Sequence, residues 1–388
     1  MNFLKNKTDM KTMTGMWLAM VSLTLPANAE SPTNAPDEAQ QVKEMIVKVN
    51  DYWQSHNKAE CRGFWDNAAY FTGNMEAYEL TGKKDYLDYS VRWAEYNHWM
   101  GATETDHDKW EYKTYGEDMR HVLFADWQIC FQVYIDLYEL EKDDAKIRRA
   151  VEVMNHQAMM PDADFWWWSD ALYMGMPVFT KLFKVTGNTK LLDKQYESFR
   201  WTDSLLFDKK AQLYYRDGKY VWPKVTTACN GGKSFWARGD GWVLAGLAKV
   251  LDDLPKSSPY RKFYIKRFRQ LAEGVARTQR PEGYWSRSIL CEDDAPGYET
   301  SGTAFFTYGL LWGINNGILK GKKFKPVIDK AWKYLSEVAL QPDGSIGYVQ
   351  PIGEKPDPTR TVNASSQAPF GTGAWLLAAC EYYRYCSH

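Results

Sequence analysis

The sequence predicts an all-α chain folded as an (α/α)6 barrel, a ring of six helical hairpins. Apolar residues recur at helical spacing along most of the chain. Amphipathic helices alternate with helices that are apolar on most sides, the pattern of an outer layer around a buried inner one. Roughly twelve helical segments are present, enough for six hairpins.

The amphipathic helices come first in the argument. Val42, Met45, Ile46, Val49 and Trp53 share one helix face, and the opposite face is charged. Ile147, Ala150, Val151 and Met154 repeat the pattern, as do Ile328, Ala331, Trp332 and Leu335. Between such segments run stretches rich in Gly, Ala and large apolar residues: 169–183, 241–250, 302–319 and 371–379. A local repeat supports hairpins. Thr81-Gly82-Lys83 and Thr186-Gly187-Asn188 each place a Gly where one helix ends and a polar residue where the next begins. Helices are expected to start near residues 37, 66, 84, 120, 142, 169, 189, 236, 258, 300, 323 and 371. A closed ring is expected rather than an open superhelix, because the last helix is strongly apolar and no polar capping repeat ends the array.

Residues 30–388 read as one domain, with no linker dividing them. Lys5, Lys7 and Lys11, the apolar stretch 13–25 and the small residues Ala27-Asn28-Ala29 read as an export signal covering residues 1–29. The mature chain is therefore expected in the periplasm, with no membrane span. The net charge of −1 gives no electrostatic reason to bind nucleic acid or an anionic membrane. The six cysteines lack a repeated spacing, and the histidines form no ligand pattern, so neither zinc nor any other metal or cofactor is expected. Cys130 and Cys380 lie in apolar helices and read as buried thiols. Eighteen Trp and 25 Tyr are a high aromatic content, which suits either a large core or the stacking of sugar rings.

In a ring of antiparallel hairpins the inner helices run the same way. Their N-termini, with unpaired N–H groups and positive dipole ends, share one face and favour an anion. Four segments fall there. In Trp166-Trp167-Trp168-Ser169-Asp170 a carboxyl follows three indoles, and desolvation among such rings raises its pKa and keeps a proton available. Asp126 sits in an otherwise apolar stretch, which is costly unless the carboxyl is paired or useful. Arg238 stands between Trp236 and Trp242, where its forked guanidinium suits a carboxylate, or alternatively an ion pair with Asp240. Glu299-Thr300-Ser301 opens a fourth helix and reads equally as a cap.

With these segments the chain resembles the unsaturated glucuronyl and rhamnogalacturonyl hydrolases of glycoside hydrolase families 88 and 105, more closely 105. The matching stretches are 167–174, 236–242 and 299–304, in order, and the likeness spans most of the chain. The resemblance implies an (α/α)6 barrel that needs no metal. It also implies an oligosaccharide substrate bearing a terminal 4,5-unsaturated uronic acid, first of all a rhamnogalacturonan fragment. Asp170 matches the family's general acid/base and Asp126 its second carboxylate. Arg238, Trp236, Trp242 and Trp168 match substrate-binding positions, and Trp167, Thr300 and Ser301 lie in the same matched segments. The expected reaction is hydration of the C4=C5 bond, with Asp126 helping to hold the proton on Asp170 by like-charge repulsion. One departure stands out: where family members often carry a His before W-x-R-G, this chain has Leu213-Tyr214-Tyr215-Arg216-Asp217. A two-carboxylate inverting glycosidase, a polysaccharide lyase and an oligosaccharide-binding protein remain alternatives on residue chemistry alone.

Overall fold

A computed structural model describes residues 35–387; the expected export segment 1–29 lies outside them. The hairpins follow in chain order, each an outer helix and then an inner one. They are α1 (Ala35–His56) with α2 (Trp65–Thr81), and α3 (Lys84–Tyr96) with the broken helix α4 (Ala125–Gln128) and α5 (Cys130–Leu140). Next come α6 (Arg148–Met159) with the broken helix α7 (Ala171–Met174) and α8 (Met176–Thr186), and α9 (Thr189–Leu206) with α10 (Ala237–Asp253). The last are α11 (Arg261–Ala276) with α12 (Ser301–Asn315), and α13 (Gly321–Tyr334) with α14 (Pro369–Cys386). A two-residue-strand hairpin, β1 (Phe207–Asp208) and β2 (Leu213–Tyr214), follows α9.

Burial separates the layers as the periodicity predicts. Every residue of α10 from Ala237 to Leu251 is buried, as is every residue of α12 from Ser301 to Gly313. Val42, Ile46, Val49 and Trp53 of α1 are buried on a single face. Gly82 and Gly187 both end their helices in the left-handed conformation, at φ 68° and 71°. Most expected helix starts fall within three residues of the observed ones. Two are early. Residues 120–124 form turns before α4, and a 3-10 turn, Asp144–Lys146, delays α6. The 302–319 run also stops short, since α12 ends at Asn315 and Gly317 turns the chain at φ 67°.

The ring closes where α14 packs between α12 and α2. Two glycines make that closure tight. A Cβ on Gly73 would lie 2.3 Å from the Gly373 carbonyl oxygen, so only hydrogen fits between the backbones. The break between α7 and α8 has a chemical cause. Pro177 has no N–H to donate to the Tyr173 carbonyl, and the Gln132 side chain from α5 donates to that oxygen instead, at 2.7 Å. Among the described residues no helix is long and apolar enough to cross a membrane. Cys229 and Cys291 form a disulfide, while Cys130 and Cys380 are free and buried.

Candidate active site

The N-terminal ends of four inner helices meet around one open cavity of roughly 230 Å³. Trp65 opens α2, Asp126 lies in the first turn of α4, and Asp170 immediately precedes α7. Trp236 caps α10, with Arg238 and Trp242 on its first turns. Tyr115, Met174, Arg216 and the segment Ile352–Glu354 complete the lining. The volume admits a sugar ring.

The two carboxyls are both buried, Asp126 at 4% and Asp170 at 8% exposure. Their surroundings differ in charge. Burial raises the Asp170 carboxyl above the usual range, while Arg216 and Arg238 pull against it. Arg216 Nε lies 3.4 Å from Asp170 Oδ2, and Ser169 Oγ donates to Oδ1 at 3.3 Å. Burial lifts Asp126 well above the carboxylate range, and the charge of Asp170 lifts it further. Burial thus holds both carboxyls above the ordinary range, and the Arg216 cation opposes that shift at each of them.

A short segment fixes that cation. β2 leads into Tyr215-Arg216-Asp217, and Asp217 pairs with Trp168 as an isolated antiparallel bridge. The Ser169 N–H donates to the Arg216 carbonyl at 2.7 Å. The backbones that carry Asp170 and Arg216 are thus in register. Asp217 accepts from Arg216 Nη1 at 2.7 Å, and Glu354 accepts from the same nitrogen at 3.3 Å.

Arg238 lines the cavity but is already committed. Its Nη1 donates to the Gln350 carbonyl at 2.8 Å and its Nη2 to the Pro351 carbonyl at 3.0 Å. Its guanidinium lies between the rings of Trp236 and Phe370, at 4.6 and 4.7 Å from their centroids. Burial pulls it down to about 10, so it stays charged at neutral pH. It makes no ion pair with Asp240, whose carboxyl accepts the Tyr214 N–H at 2.7 Å. Trp236 Nε1 donates to Gln350 Oε1 at 2.8 Å, so α10 pins the loop that forms one wall.

Of the residues singled out in the sequence, Asp126, Asp170, Trp236, Arg238 and Trp242 meet in this cavity. Trp167, Trp168, Thr300 and Ser301 are not among its lining residues. Trp168 stacks on Phe124, with ring centroids 4.6 Å apart, and Trp167 Nε1 donates to the Tyr112 carbonyl. The indoles that desolvate the site are instead Trp65, Trp236 and Trp242. Thr300 Oγ1 donates to the Gly347 carbonyl, and Ser301 Oγ to Glu299. Glu299 also accepts the N–H groups of Ser301 and Gly302 at 2.7 Å, so this segment caps α12. Glu354, Tyr115 and Trp65 had no sequence signal. Glu354 reaches Arg216 across 138 residues from a loop without periodicity. Arg216 had one signal, its place in the stretch where the family often has a His.

A barrel of this kind, with two buried carboxyls at the inner-helix N-termini, sits on a sequence whose residues 39–386 match the model of Glycosyl Hydrolase Family 88. The chain belongs to glycosyl hydrolase family 88. This family 88 hydrolase is 31% identical over 350 residues to an unsaturated 3S-rhamnoglycuronyl hydrolase of Formosa agariphila, covering 88% of this chain and 90% of that one. It is 52% identical to a solved structure described as a glycosyl hydrolase family 88 from Bacteroides vulgatus, with a TM-score of 0.87 over 89% of this chain and 99% of the other. It is 59% identical to one described as Polysaccharide Lyase BACCELL_00875, again with a TM-score of 0.87, over 90% and 98% of the two chains.

Proposed function

We propose that this hydrolase removes a terminal 4,5-unsaturated uronic acid from oligosaccharides left by polysaccharide lyases, by hydrating the C4=C5 double bond. The observation that carries this reading is the buried Asp126–Asp170 pair beside a guanidinium in a cavity of sugar size, in a family 88 chain. The double bond with the ring oxygen is a vinyl ether. Protonated Asp170 gives its proton to C4, and positive charge develops at C5 and the ring oxygen. Asp170, now a carboxylate, takes a proton from the water that adds at C5. The resulting hemiketal opens to a ketone, which leaves C1 as a hemiacetal that expels the next sugar. Asp126 positions the water or the ring.

Rhamnose at the next position is the first aglycone to test, supported by the name of the Formosa relative. Export to the periplasm is supported by the residue pattern at 1–29 and by the Cys229–Cys291 disulfide, which an oxidising compartment favours.

The test follows the ultraviolet absorbance of the double bond. Lyase-generated oligosaccharides incubated with the protein should lose absorbance as the bond is hydrated. The lyase description of the 59% identical structure motivates the second arm. A gain of absorbance on intact polymer would make the protein a lyase, and no change on either substrate would reject the hydratase reading.

A further inference from the structure

Two arginines face the cavity, and their donors are differently occupied. Arg238 is fully buried, with both terminal nitrogens on backbone carbonyls and its Nε buried without a partner. Its Nη2 faces the Pro351 and Gly353 carbonyls at 3.0 and 3.5 Å, so the Nε–Nη2 fork is not open to a carboxylate. Arg216 is anchored on one side only. Its Nη1 is held by Asp217 and Glu354. Its Nε faces Asp170 at 3.4 Å, longer than the 2.7–2.9 Å of a well-made charge-assisted bond. The side-chain hydrogen bonds of Arg216 among the described residues run from Nε and Nη1, and none from Nη2. The Nε–Nη2 edge is the planar fork that grips a carboxylate with two parallel bonds.

We propose that Arg216 binds the uronate carboxylate of the substrate through its Nε–Nη2 edge, and that the carboxylate displaces Asp170 from that edge. This rests on the hydratase reading. Once its cationic partner is taken, Asp170 remains among Trp65, Trp236 and Trp242 and draws a proton from solvent, which puts the proton where C4 needs it. The substrate thereby arms its own acid. The arrangement also spares the developing positive charge at C5, because the carboxylate neutralises the nearby cation. The other charged groups around this pair are Asp126, Asp217, Glu354, Lys219 and Arg238. Asp217 and Glu354 hold the far edge of the guanidinium, and Lys219 meets Glu354 at 3.1 Å, so the carboxylate meets a fixed fork rather than a free side chain.

The test compares a lyase-generated disaccharide with its methyl ester at the terminal uronate, which lacks the negative charge. Wild type should prefer the acid. Arg216→Gln should raise KM for the acid at least about tenfold and abolish the preference over the ester. Arg216→Lys, which keeps the charge, should restore part of the preference, and the wild-type pH profile decides the matter should Arg216→Gln fail to fold. The pH profile is a second readout. In wild type the basic limb of kcat, which reports the bound enzyme, should lie above that of kcat/KM, which reports the free enzyme. In Arg216→Gln the two limbs should coincide. An acid preference retained in Arg216→Gln, or coincident limbs in wild type, overturns the proposal. Should wild type leave the double bond intact, the hydratase reading fails instead. Calorimetric binding of acid and ester to wild type and Arg216→Gln then still decides whether Arg216 is the carboxylate site.

Discussion

The backbone N–H of Tyr214 donates to Asp240 Oδ1 at 2.7 Å, with both residues buried, so the first turn of α10 holds β2 two residues before Arg216. The other Asp240 oxygen is buried without a partner. Burial drives this carboxyl well above the usual range. The folded chain therefore keeps a proton that the unfolded chain releases above about pH 4. The folded state binds more protons in that window, so Asp240 makes stability fall as pH rises towards the folded-state pKa. Asp240→Asn keeps the acceptor and removes the titration. Urea unfolding between about pH 5 and pH 8 should show wild type losing up to about 1.4 kcal/mol per pH unit relative to the Asn variant. Parallel stability curves would refute a neutral Asp240. Asp240→Ala should cost about 1–3 kcal/mol at any pH, because it orphans a buried N–H.

Asp170→Asn should lower the rate of double-bond loss at least about a hundredfold, the usual contribution of a positioned proton donor. Its unfolding transition and circular dichroism should match wild type, because the Asp170 carboxyl holds only Ser169 and Arg216. Full activity in this variant would remove Asp170 from the acid's role.

Ring closure can be tested apart from chemistry. Gly73→Ala forces α2 away from α14 at the Gly373 carbonyl and should cost about 1–3 kcal/mol in thermal or urea unfolding. Gly321→Ala, where the nearest atom would be Ile314 Cγ2 at 3.6 Å, should cost nothing and serves as the control. Equal effects at the two positions would mean that the α2–α14 contact yields easily.

Arg238 and Arg216 should separate by readout. Arg238→Met leaves the Gln350 and Pro351 carbonyls without their donor, which should cost about 1–3 kcal/mol. Hydrogen–deuterium exchange should rise selectively over residues 350–354, and KM should rise for acid and ester alike, since Ile352–Glu354 form a wall of the cavity. A selective loss of the acid substrate would instead assign Arg238 the carboxylate.

Much of the architecture was legible because it is local. A helix that buries one face must repeat apolar residues at helical spacing, so α1 and α13 announce themselves through Val42-Ile46-Val49 and Ile328-Ala331-Trp332. Gly82 and Gly187 mark helix ends because a left-handed cap costs least at Gly. Placing chemistry at the inner-helix N-termini followed from hairpin geometry, and it brought Asp126, Asp170 and Arg238 to one cavity.

The order of helices, their two layers and the end of the barrel that holds the site were determined by the sequence itself, since spacing and capping act between residues a few positions apart. Which side chains do the binding was decided by the tertiary structure. Trp167 and Trp168 turn into packing, and Thr300 and Ser301 into a cap. Arg238 spends its donors on a loop more than 100 residues away, which leaves Arg216 beside Asp170. The physical reason is that a polar group's role depends on who meets its donors and acceptors once water is excluded, and those partners come from segments with no sequence proximity to it.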